Sequence, residues 1–185
     1  MSTLREYLVQ KREALLARRA RAAATTDPTP QTIRANVSAA GRSGIRRIRI
    51  RDFQLISDAD TDFAGYDLGP TSPELQLGVL GSCLTHTFLI QAADREIPLD
   101  AVSVEVTGQM DPRAGQPGYA HIPVYPHNIQ YTATIDSPAS DVELTALREA
   151  VERACPLYNL LINPQQITGT VVHSTARVAE AVAAD

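Results

Sequence analysis

The stretch SPELQLGVLGSCLTHTFLIQAA at residues 72–93 decides how the rest of the chain is read. Leu75, Leu77, Val79, Leu80, Leu84, Phe88, Leu89 and Ile90 leave it almost no polar face. A helix apolar nearly all round is a buried one. Ser72 is expected at the N-cap, Pro73 at the first helical position and Glu74 in the first turn. Gly78 and Gly81 each weaken a helix interior by roughly 1 kcal/mol relative to Ala. Close packing against a second helix, including a symmetry mate, is the expected reason for both. Cys83 stands in the middle of this helix, and the second of the chain's two cysteines, Cys155, lies far along in ERACPLYNLL.

On the N-terminal side, residues 3 to about 23 are predicted to form an amphipathic helix, with Leu4, Tyr7, Leu8, Leu15 and Leu16 near one face. TTDPTPQT (25–32) ends it, because prolines break a helix. Residues 1–30 are therefore read as a helical appendage with a linker, and 31–185 as the body. IRANVSAA, the turn GRSG (41–44) and the alternation of Ile48 and Ile50 with Arg47, Arg49 and Arg51 predict strands with one buried face and one cationic face. DFQLIS continues as a strand, and an Asp-, Gly- and Pro-rich loop leads into the central helix.

On the C-terminal side, AVSVEVTGQM and IPVYPHNIQYTATID are expected strands, separated by the turn DPRAGQPG. SDVELTALREAVERA is predicted to be an amphipathic helix with Val142, Leu144, Leu147 and Val151 inward. ITGTVVHSTARV (167–178) is predicted to be a final strand. Strands, helix, strands, helix, strand makes an α+β arrangement of two helices against sheet.

The chain has 185 residues, 44% of them hydrophobic, and a formal net charge of -4. That balance argues against a general nucleic-acid binder, whose footprint is basic. No stretch is expected to reach the ~20 apolar residues of a membrane span. The first residues lack the apolar core of a secretory signal, and Glu6 and Glu13 argue against a transit peptide. A cytoplasmic, reducing compartment is the expectation, in which a cysteine pair serves catalysis or sensing rather than permanent cross-linking.

From residue chemistry alone, two readings of the cysteines stay open. Free Cys is often a buried, unreactive small hydrophobe. A thiolate nucleophile instead needs a cation or a helix N-terminus to ionise near neutrality. Pro156 suits the first position of a short helix, which would put Cys155 at a helix N-terminus, while the dipole of the preceding helix opposes ionisation there. A metal reading pairs Cys83 with His86 in CxxH, adding Cys155 and His121, His127 or His173, although zinc sites usually show two tight pairs. No GxSxG elbow, GxGxxG or P-loop occurs.

SPELQLGVLGSC, together with the Cys-Pro helix end in VERACPLYNLLINPQQITG (151–169), resembles the OsmC/Ohr family of thiol-dependent peroxidases over about residues 34–175. The resemblance implies an OsmC-like fold, with antiparallel sheets around two central helices in an intertwined homodimer. It implies reduction of organic hydroperoxides without metal or bound cofactor, and an external dithiol reductant, typically lipoyl-based. It assigns Cys83 as the peroxidatic and Cys155 as the resolving cysteine, closing a Cys83–Cys155 disulfide. Arg42, in Gly41-Arg42-Ser43-Gly44, matches the activating arginine, with Arg47, Arg49 and Arg51 as replacements for it. Glu74 resembles the glutamate that holds that arginine. A non-enzymatic thiol sensor or small-molecule-binding dimer is the other use of the same fold. Glu74 lies nine residues before Cys83, where the organic-hydroperoxide branch has ten. At ~100° per residue, nine residues place the two side chains on opposite helix faces. Glu74 is therefore expected to act from the helix mouth or with the other subunit.

Overall fold

The computed structural model describes residues 3–27 and 29–173. In chain order the elements are α1 (Leu4–Ala23), β1 (Asn36–Ala39), β2 (Arg46–Ile50), β3 (Phe53–Ser57), α2 (Ser72–Arg95), β4 (Ala101–Gln109), β5 (His127–Asp136), α3 (Asp141–Ala154) and α4 (Pro156–Ile162). The strands form two antiparallel sheets, β1-β2-β3 and β4-β5. Helix α2 is the hub, packing against α1, β4, α3 and α4.

The N-cap of α2 is Thr71, not Ser72. The Glu74 carboxylate accepts from both the Thr71 N–H (2.7 Å) and the Thr71 hydroxyl (2.8 Å). This is the Thr-x-x-Glu box, which selects the residue three before the glutamate. The helix also runs past Ala93 to Arg95, where Glu96 at φ 57 turns the chain and Ile97 N–H closes on the Ala92 carbonyl at 2.9 Å.

Burial along α2 forms a stripe rather than covering it all round. Leu80, Leu84, Phe88 and Ala92 are almost completely buried, each one turn after the last, whereas Val79 is 50% exposed. By length and composition α2 is nonetheless apolar enough to cross a membrane, contrary to the sequence expectation. The two helix glycines also differ. A Cβ on Gly81 would meet Val106 Cγ2 at 3.3 Å, so its close neighbour is strand β4 and not another helix, while Gly78 borders open space.

Strands β4 and β5 turn Val102, Val104, Val106, Tyr131, Ala133 and Ile135 toward this stripe. Helix α3 closes the core with Leu147, Ala150 and Val151. Leu144 packs at its margin, but Val142 is 79% exposed instead of inward, because the apolar stripe begins one turn later. The predicted final strand is not formed among the described residues. Residues 164–173 are extended without a ladder partner, and Ile167, Val171 and Val172 are exposed. Positions 174–178 of that prediction lie outside the described residues.

The β1–β3 sheet has no substantial packing against the helices or the other sheet. Pairing puts Val37 opposite Ile48, Ile48 opposite Leu55 and Ile50 opposite Phe53, so these five side chains share one face. That face is not buried as the alternation predicts: Val37 and Phe53 are 59% and 62% exposed. Beyond β3, buried Asp58 fixes the loop into α2 by accepting from the Tyr66 (3.0 Å) and Leu68 (3.3 Å) amides.

Helix α1 lies on α2 and is anchored largely by charge. Leu8 is its buried residue. Arg5, Arg12 and Arg19 recur every seven residues, a spacing that drifts by only ~20° and so keeps them on one face. They pair with Asp100, Glu96 and Asp94 respectively. Lys11, the chain's single lysine, places Nζ 2.8 Å from His86 Nε2. An ammonium only donates, so this His86 nitrogen accepts and the imidazole is neutral.

Two outcomes follow from this packing. Gly81→Leu forces a side chain into β4, and urea denaturation is expected to show a loss of about 1–3 kcal/mol; unchanged stability would mean that α2 and β4 do not pack closely there. Partial burial first, and Lys11 second, hold the His86 pKa below its ordinary value. Its folded pKa is depressed, so the contact is fully stabilising above ~6.5 and is lost as pH falls through the folded value. Lys11→Met removes the cation and is expected to move the NMR titration midpoint of His86 upward; an unmoved midpoint would rule the contact out.

Candidate functional site

Pro156 interrupts the helical run that begins at Asp141. A continuous helix would send the N–H of residue 156 to the Glu152 carbonyl, but proline has no N–H to give. The Asn159 side chain supplies the missing donor: its Nδ2 lies 2.8 Å from Glu152 O and 2.9 Å from Cys155 O. Cys155 is thus at once the C-cap of α3 and the N-cap of α4, with extended backbone at φ -73, ψ 115. Its own N–H still reaches Val151 O at 2.8 Å. This geometry turns the completely buried Cys155 side chain toward α2.

Cys83 sits on the facing turn of α2, half-buried. The two free sulfurs are 3.5 Å apart, with the Cys155 thiol directed at Cys83 Sγ. Burial is the largest influence on the Cys83 thiol and pushes its pKa up, and the adjacent Cys155 adds to the rise. Opposing it, and second in size, is the Leu157 backbone N–H, with a smaller contribution from the Thr87 hydroxyl. In an unbroken helix the Leu157 N–H would bond to Arg153 O. The proline break therefore releases a donor that serves Cys83, whereas the sequence suggests that the α4 N-terminus serves Cys155. Thr87 and Asn159 also go unnoticed in the sequence reading. Asn159, three residues after a Cys-Pro break, carries the readable signal, because an orphaned carbonyl needs a donor.

Arg42 and Glu74 are not gathered with the sulfurs within one chain. Arg42 occupies the exposed β1–β2 turn, where Gly41 adopts φ 59, and makes no hydrogen bond or ion pair among the described residues. Glu74 is exposed, and its carboxyl is held below the usual range by the Thr71 hydroxyl first and the Thr71 N–H second. No cation is among the groups acting on Cys83. Of the neighbouring arginines, Arg47 and Arg49 lie on exposed strand positions and Arg51 stacks over Phe53 at 5.1 Å. Arg46 is the one built into the sheet, donating to Ser57 Oγ and Asp58 O at 2.8 Å each.

The histidines considered as metal ligands are dispersed. His86 is held by Lys11, His121 lies against Tyr119, His127 faces Tyr125 O and His173 is exposed. Among the described residues no group of three or more His, Cys, Asp or Glu side chains could hold a metal ion. What the site offers chemically is two thiols within van der Waals reach, one partly accessible and one sealed beneath it.

A family model for OsmC-like proteins matches residues 65–169, which span α2, both cysteines and α4. No curated protein sequence matches. Among solved structures, an OsmC-like protein from Mycoplasma pneumoniae is 19% identical with a TM-score of 0.61, the match covering 72% of this chain and 89% of that one. The organic hydroperoxide resistance protein OsmC from Legionella pneumophila is 17% identical with a TM-score of 0.53, covering 72% and 91%. An OsmC-like protein of unknown function from Vibrio cholerae is 10% identical with a TM-score of 0.54, covering 71% and 94%. At these identities the structural matches speak for the fold. Taken with the family match across both cysteine-bearing segments, they establish that this chain belongs to the OsmC-like family.

Proposed function

We propose that this protein is a cysteine-based peroxidase that reduces organic hydroperoxides, a reading carried by the 3.5 Å separation of Cys83 and Cys155 sulfurs. The Cys83 thiolate attacks the distal peroxide oxygen; the O–O bond breaks and the alkoxide takes up a proton and leaves as alcohol. Cys83 is left as a sulfenic acid. The Cys155 thiol gives up its proton and attacks that sulfur, water departs, and a disulfide forms. An external dithiol, lipoyl-based in the proposal, reduces the disulfide by two exchanges and is itself oxidised. Cys155, sealed from solvent, is protected from peroxide and suited to resolve rather than initiate.

A cation would strengthen activation, and none of the described residues of one chain brings one to Cys83. The proposal assigns that role to Arg42 of a second copy in a homodimer, with the exposed Glu74 at the mouth of α2 orienting it. Support comes from the β1–β3 sheet that carries Arg42. Among the described residues its apolar face has no substantial packing on a helix or the other sheet, and the extended segment at 164–173 has no ladder partner. The cytoplasm, where dithiol reductants are maintained, is the compartment this chemistry requires.

One observation leaves room for a second reading, a slowly oxidised, non-enzymatic thiol sensor: burial raises the Cys83 pKa and so disfavours the thiolate that fast turnover needs. Titration with cumene hydroperoxide separates the two. The peroxidase consumes one equivalent per chain, forms an intrachain Cys83–Cys155 disulfide seen by intact mass, and turns over with excess dithiol. Cys83→Ser is expected to abolish consumption. Cys155→Ser is expected to stop at a sulfenic acid trapped by dimedone. Arg42→Gln is expected to slow the first step by about 10²-fold, the usual scale for losing one stabilising donor. Consumption left intact in Cys83→Ser would refute the peroxidase, and a single slow oxidation without turnover would identify the sensor.

A further inference from the structure

Helix α4 is joined to α3 through the single residue Cys155, and within one chain little apolar packing holds it in place. None of its side chains is fully buried, and only Leu157 and Tyr158 reach the margin of the core. Leu160, Leu161 and Ile162 are exposed. The angle between α3 and α4 therefore depends on polar contacts at the Cys155 hinge. Among the described residues, the side-chain hydrogen bonds made there come from Asn159.

Asn159 Nδ2 lies 2.8 Å from Glu152 O, 2.9 Å from Cys155 O and, at the long limit, 3.4 Å from Arg153 O. Three carbonyls gathered at one end of the carboxamide identify that end as the nitrogen. Glu152 O and Arg153 O are the acceptors that an unbroken helix would offer to the backbone of residues 156 and 157. Proline leaves the first without its backbone donor, and the Leu157 N–H has a choice between the second and Cys83. By lying over both carbonyls, Asn159 weakens the pull of Arg153 O on that N–H. The donor is left to Cys83, where it opposes the effect of burial on the thiol. The same contacts brace the extended backbone of Cys155, whose Sγ is 3.5 Å from Cys83 Sγ.

We propose that Asn159 is a positioning residue for the thiol chemistry: its carboxamide holds α4 so that the Leu157 N–H faces Cys83 Sγ and Cys155 Sγ stays within reach of it. The proposal rests on the two cysteines being the reactive pair. Neither of its tests uses peroxide, so its failure and that of the peroxidase reading are told apart. In the full chain, Asn159→Ala removes the donors without changing charge and raises the intrinsic helix propensity of α4. The pH profile of Cys83 alkylation by iodoacetamide, mapped by peptide mass, gives the thiolate midpoint. The midpoint is expected to rise, the thiolate fraction below it falling by about tenfold, the scale of one hydrogen bond to a charged group. The second measurement is equilibration with reduced and oxidised dithiothreitol at a pH where both thiols are protonated. The equilibrium constant for the Cys83–Cys155 disulfide is expected to fall by about tenfold, a rise of about 30 mV in reduction potential. Asn163→Ala is the control, because its Nδ2 bonds Asn159 O at 2.7 Å inside α4 without crossing the hinge. Neither quantity is expected to move in it. Thermal unfolding reports whether the variants fold, and Asn159→Ser, too short to span the carbonyls, decides if Asn159→Ala does not. An unmoved midpoint or an unmoved equilibrium constant in the folded variant, or equal shifts in Asn163→Ala, overturns the proposal.

Discussion

The missing amide at Pro156 is the constraint on which the thiol pair depends. Replacing one N–H by a ring breaks the helix between Ala154 and Pro156, orphans the Glu152 carbonyl and frees the Leu157 N–H. The first consequence is met by Asn159 and the second by Cys83. Cys155 lies at the hinge itself, where its backbone is extended and its side chain can turn beneath α2. Had the helix continued, its donors would all have been consumed within it, and no N–H would face Cys83. The proximity of the sulfurs thus comes from a backbone accounting problem and its local solution, with α2 held at the right depth by Gly81 against β4.

Much of this was readable from the sequence, and the errors share a cause. The elements carrying Cys83 and Cys155 follow from apolar periodicity and the Cys-Pro step, which are local signals. What failed concerned partners. Gly78 and Gly81 look equivalent in sequence, yet within one chain Gly81 meets a strand rather than a helix, while Gly78 borders open space where only a second copy could pack. Val142 shares the apolar character of Leu147 but falls before the buried stripe starts. The β-prone run at 167–173 has strand propensity and no ladder partner among the described residues. Ser72 lost the cap to Thr71 because a capping box counts back from its glutamate, a rule that is local and could have been applied. For the site, residue types and order were legible. The donors that act on Cys83 were not, since a backbone N–H carries no sequence letter of its own.

Electrostatics divides the cysteine pair from the residues expected to activate it. Desolvation disfavours a thiolate, and one N–H from a short helix does not outweigh it at Cys83. Glu74 is meanwhile engaged in holding the start of α2 through Thr71. The same carboxylate can still orient an arginine, because a carboxylate accepts at about four lone-pair sites and only one of its oxygens is taken by Thr71. An apolar sheet face of Val37, Ile48, Ile50, Phe53 and Leu55 carried by the same hairpin as Arg42 links two needs. A partner packed on that face would also set where the guanidinium goes.

Helix α1 follows different physics from the rest of the core. With Leu8 as its buried side chain, it gains little from the hydrophobic effect and relies on three ion pairs and the Lys11–His86 contact. Exposed pairs contribute ~0–1 kcal/mol each and weaken with salt. Leu8 joins the same buried cluster as the Leu80–Leu84–Phe88 stripe, which otherwise packs on β4, β5 and α3. His86 lies under the same helix, one turn beyond Cys83 on α2. The thiol-bearing helix and the appendage therefore share a boundary at which docking of one alters the surroundings of the other.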